Sequence, residues 1–77
     1  MQVTVETYGG LKNYLPGGVQ ALVLELGPGT TVACLVARLG LPWEEVWQVA
    51  VNGQLTTTGH QLEDGDRLTI FAPVEGG

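Results

Sequence analysis

Val32, Leu35, Val36 and Leu39 stand at i, i+3, i+4 and i+7, and this single apolar helical stripe restricts the fold of the chain more than any other segment. The Thr31 hydroxyl can accept a hydrogen bond from a free backbone N–H of the first turn. Gly40 suits the left-handed stop that ends a helix. The spacing therefore predicts a helix over 32–39. Every other periodic segment has the period of a strand. Val3, Val5 and Thr7 alternate with Gln2, Thr4, Glu6 and Tyr8 before Gly9-Gly10 ends the run, so one face is buried. A second strand is expected over 19–26 with Leu22, Leu24 and Leu26 on one face, stopped by Gly27-Pro28-Gly29. After the helix, Pro42 sets a turn, and Trp47, Val49 and Val51 alternate with Gln48, Ala50 and Asn52. Asn52-Gly53 is a hairpin signal, with residues 54–58 as a short return strand. Leu62-Glu63-Asp64-Gly65-Asp66 makes an acidic turn, and residues 67–71 form a last strand with Leu68 and Ile70 on one face. A lone amphipathic helix must cover a sheet. The expected class is α+β, a mixed four- to five-stranded sheet packed on one main helix.

At 77 residues the chain is one domain with a small core and little room for a deep pocket. The segment from Gly10 to Gly18 should tuck Leu11, Tyr14 and Leu15 under the sheet. Trp47 shares parity with Val49 and Val51 and is expected in the core. Trp43, after a proline and beside Glu44 and Glu45, is a candidate partner contact. Cys34 is read as a small packed hydrophobe. One cysteine excludes an internal disulfide framework, and the amino end reads as a strand rather than a leader, so the expected compartment is the cytoplasm. The net charge of −5 with only Lys12, Arg38 and Arg67 basic speaks against nucleic acid, whose phosphates need clustered cations, and for a basic protein partner. The apolar runs fall well short of the ~18 residues of a membrane span.

No catalytic set can be assembled. Gly9-Gly10-Leu11-Lys12 lacks the spacing of a phosphate loop. Asp64-Gly65-Asp66 lacks the alternating ligands of a calcium loop. His60 and Cys34 are single residues on separate segments, so no metal site is expected. With one histidine and no supporting constellation, no nucleophilic triad exists. The remaining candidate is the end of the sequence, Phe71-Ala72-Pro73-Val74-Glu75-Gly76-Gly77. Glycine is costly to order, but two glycines without Cβ atoms can thread a narrow channel and leave a carboxylate open to attack from either face.

Thr31-Val32-Ala33 with Leu35 and Leu39, Val51-Asn52-Gly53, the Leu-x-Asp-Gly-Asp turn at 62–66 and the Pro73-Val74-x-Gly76-Gly77 tail together resemble the β-grasp, ubiquitin-like sulfur carriers. These include the small subunit of molybdopterin synthase and the thiamine-pathway carrier. The Pro-Val before the diglycine and the length are more similar to the molybdopterin type, although Ala72-Pro73 stands where two prolines are common, and Cys34 where an acidic residue is common. The resemblance implies a single domain over 1–77 with 72–77 as a flexible tail. It implies a protein that is itself a substrate, binding no cofactor and using ATP and a sulfur donor through its partner. That partner, an adenylyltransferase of the ubiquitin-activating type, would adenylate Gly77, and sulfur would convert it to a thiocarboxylate for a molybdopterin synthase large subunit or equivalent acceptor. Pro73, Val74, Glu75, Gly76 and Gly77 would enter the partner's active site, and Tyr8 and Phe71 would form the docking face. A covalent protein modifier and a non-conjugating β-grasp binding module are the alternatives.

Overall fold

A computed structural model describes residues 1–9 and 15–73. The expected alternation produces β1 over Gln2–Tyr8, with Val3, Val5 and Thr7 buried. The second strand, β2, is Ala21–Glu25, shorter than the expected 19–26 because its ladder with β1 begins only where Ala21 meets Glu6. The helix α1 spans Val32–Leu39. The Thr31 side chain accepts from the Cys34 N–H at 3.2 Å, and Gly40 adopts φ 73°, a left-handed stop. Val32, Leu35 and Val36 are fully buried. A 3-10 turn at Trp43–Glu45 leads to β3 over Gln48–Val51, β4 over Gln54–Thr56 and β5 over Arg67–Phe71.

The sheet order is β2-β1-β5-β3-β4, with β1 and β5 parallel at its centre and the other pairs antiparallel. This is the mixed sheet over one helix of the β-grasp fold. The core joins Val3, Val5, Val49, Leu68 and Ile70 of the sheet to Val32, Leu35 and Val36 of α1. Leu15 is buried as expected, whereas Leu11 and Tyr14 lie outside the described residues. Among those described, no helix is long and apolar enough to cross a membrane.

Two of the motif segments clamp one end of the sheet. Asn52 and Gly53 both take positive φ, 53° and 83°, the two left-handed residues of a primed hairpin turn. The Asp66 carboxylate accepts from the Glu63 N–H at 2.8 Å and from Asn52 Nδ2 at 2.9 Å, while Asn52 Oδ1 accepts from the Arg67 N–H at 2.9 Å. Asp64 Oδ1 accepts from the Gln2 N–H at 2.6 Å. The acidic turn thus ties the hairpin to the start of β1, and the Asp64 and Asp66 carboxylates are spent on internal donors.

Two expectations fail. Trp47 is 56% exposed, since strand pairing begins one residue later and Val46, not Trp47, packs against the core. Cys34 is exposed, because it falls on the side of α1 opposite the stripe. Its thiol is held below its ordinary pKa, first by hydrogen bonding to the Thr31 side chain and then by the Thr31 backbone. Cys34 is therefore expected to react with iodoacetamide in the native protein, with a pH midpoint below that of the urea-unfolded chain. Protection of the native thiol would contradict this placement.

Candidate functional site at the chain exit

The opposite end of the central strand pair holds Tyr8, Phe71 and Pro73, the expected docking-face and tail residues that the structure describes. Tyr8 and Phe71 are register partners in the parallel β1–β5 ladder. By the two-residue period, both point away from the face where Val5, Leu68 and Ile70 meet α1. Their rings stack with centroids 5.6 Å apart at 14°. Tyr8 remains 47% exposed, so the pair is an accessible aromatic platform. On the same face, Glu6 accepts from Thr69 Oγ1 and from Arg67 Nη1, both at 3.0 Å. Arg67 is largely in water, so this pair orders the face more than it stabilises the fold.

The chain leaves the sheet at a fixed point. The Trp47 N–H donates to the Phe71 carbonyl at 2.8 Å, and the Ala72 N–H donates to the Tyr8 carbonyl at 3.2 Å, so β5 is bonded on both sides to its last residue. Pro73 has no N–H and ends the ladder, and it also biases Ala72 toward extended backbone. Ala72 packs partly against the core and Pro73 is exposed. Val74, Glu75, Gly76 and Gly77, expected as the reactive tail, lie outside the described residues.

Gly9 is the residue here that a reading of the sequence alone takes only as a strand stop. Its φ is +86°, and a Cβ placed on it would stand 2.7 Å from the Ala72 Cβ. Both the backbone conformation and the space demand glycine. Gly9→Ala should therefore cost about 1–2 kcal/mol from the left-handed conformation alone, with the clash added, and should displace Ala72. A loss below about 0.5 kcal/mol in denaturant titration would show that the exit is looser than this. The only sequence signal for the contact is the Gly9-Gly10 pair itself.

Trp43 is 47% exposed, as its place after Pro42 and beside two glutamates suggests. Among the described residues, no three of His, Cys, Asp and Glu gather as a metal set.

Residues 12–77 match the model of the ThiS family. No curated protein matches the chain. In three dimensions it is similar to SAMP1 from Haloferax volcanii, at 21% identity over all of both chains with a TM-score of 0.77, a likeness of fold. It is also similar to a putative molybdopterin converting factor subunit 1 from Pyrococcus furiosus, at 25% identity over 96% of this chain and 99% of that one, with a TM-score of 0.74. A third likeness is to a chain of the complex of subunits 1 and 2 of the molybdopterin-converting factor from Helicobacter pylori, at 25% identity over all of both chains and a TM-score of 0.66.

Proposed function

The chain belongs to the ThiS family and is a ubiquitin-like sulfur carrier, and we propose that the Gly77 carboxylate is the atom group that carries the sulfur, in molybdopterin synthesis. A free carboxylate is a poor acyl donor. A partner enzyme joins it to AMP with release of pyrophosphate, and a sulfur donor then displaces AMP to leave a thiocarboxylate. The carrier needs no catalytic side chain for either step. Its task is to present the tail, and the observation that supports this is the exit itself: β5 bonded on both sides to its end, closed by Pro73 next to the Tyr8–Phe71 platform. Four further residues, fully extended, reach at most about 14 Å past that anchor, enough to enter an active-site channel while the domain docks outside it.

The molybdopterin pathway is favoured by the similarity to the Pyrococcus furiosus and Helicobacter pylori proteins. The second of these was solved with its subunit 2, so a large-subunit partner is part of the proposal. The thiamine-pathway carrier is the second reading, with the family match on its side. The discriminating experiment offers the thiocarboxylated chain to a molybdopterin synthase large subunit with its pterin precursor and, separately, to a thiazole synthase. Sulfur transfer is expected to the pterin, and transfer only to the thiazole would replace the first reading with the second.

Docking is tested at the platform. Phe71 is half-buried at the end of β5, so Phe71→Ala should weaken binding to the activating enzyme by about 2 kcal/mol or more and cost less than the about 3–5 kcal/mol of a core phenylalanine. Unchanged binding by a folded variant would remove Phe71 from the interface.

A further inference from the structure

Beside the exit lies a groove of about 230 Å³ lined by Trp43, Val46, Trp47, Gln48, Val49 and Thr56 among others. Two features set it apart from ordinary surface. Both tryptophans are roughly half exposed, at 47% and 56%, although the fold holds a well-formed apolar core that includes neither. The same 3-10 turn carries Glu44 and Glu45, both exposed. Among the described residues, neither glutamate has a cation within ion-pair distance, since the pairs formed are Arg67 with Glu6 and the amino terminus with Glu25.

Indole faces attract cations through the ring quadrupole, most strongly a planar guanidinium. Glu44 and Glu45 do not line the groove, but they follow Trp43 in the same turn and add negative charge near it, on a chain whose net charge is already −5. Thr56, Thr57 and Thr58 also line the groove, with the Thr56 hydroxyl 3.3 Å from His60 Nδ1. The groove also adjoins the exit, because the Trp47 N–H is bonded to the Phe71 carbonyl at 2.8 Å. We infer that this groove is a docking site for an arginine side chain presented by a protein partner, next to the point where the tail departs. The inference concerns recognition of the domain and holds whatever chemistry the tail undergoes.

The test uses the full chain, with the peptide acetyl-Leu-Arg-Leu-amide as probe and its citrulline counterpart, of nearly the same shape and uncharged, as control. The indole N–H signals of Trp43 and Trp47 are followed by NMR during titration. Both signals should shift saturably with the arginine peptide. The citrulline peptide should bind about two- to fivefold more weakly, the range of an exposed cation–π contact, and the arginine preference should shrink as salt is added. In a Glu44→Gln/Glu45→Gln variant the preference should fall while the apolar contact persists. Trp43→Ala, at a side chain that is 47% exposed and outside the buried apolar cluster, should keep its remaining spectrum and lose saturable binding. Equal binding of the two peptides, or shifts centred on Glu63 and Asp64 instead of the indoles, would overturn the inference. A chain whose tail is activated with ATP but whose indoles ignore the peptide would overturn it while leaving the carrier reading intact.

Discussion

Replacing Leu35 with alanine should remove about 3–4 kcal/mol of stability, a large share of what a domain of this size possesses. Leu35 is fully buried at the centre of the stripe that joins α1 to β1 and β5. A cavity there should be refilled only in part, because most of the buried cluster that Leu35 belongs to is β-branched, including Val3, Val5, Val32, Val36 and Ile70. Their χ1 angles are stiff, so the transfer loss and the cavity loss add. Denaturant titration measures the change through the midpoint at constant slope. A loss below about 1 kcal/mol would mean that α1 is not packed through this residue.

The second large effect is chemical and should leave stability alone. Gly76 and Gly77 have no side chains to bury and end the chain, so adding one alanine after Gly77, or deleting Gly76 and Gly77, should leave the thermal midpoint almost unchanged. Activation should nevertheless be abolished. The alanine adds a Cβ at the end of a chain whose last two residues have none, and it moves the carboxylate by about 3.5 Å. Displacements of about 1 Å already cost a reaction about a hundredfold. An extended chain that is adenylated without trimming would show that the carboxylate position is not the determinant.

The elements that rest on local rules were legible in the sequence. Thr31, the stripe and Gly40 define α1 without tertiary information, and Asn52-Gly53 defines its hairpin through the positive φ that both residues take. What failed depended on neighbours. Parity places Trp47 on the Val49 side, but parity does not say where the apolar cover ends, and Trp47 borders a groove walled by threonines. β2 begins late because its extent is set by its partner strand. Cys34 shows a general expectation about cysteines prevailing wrongly over the helical period, which by itself puts position 34 off the stripe. The site was legible only in part. Tyr8 and Phe71 are 63 positions apart by their numbers, and only the parallel pairing of β1 with β5 makes them neighbours. The approach of Gly9 to Ala72 has no periodic signature at all.

The central claim is that Gly77 carries the sulfur, and the intact mass of the chain tests it most directly. The native protein is incubated with its own cell's activating enzyme, ATP and a sulfur donor, and its mass is compared with that of the untreated chain. The account predicts a gain of about 16 Da, oxygen exchanged for sulfur at the terminal carboxyl, lost again when the thiocarboxylate is given to its acceptor. A chain that forms neither an adenylate nor this heavier species with any activating enzyme of its cell would contradict the account.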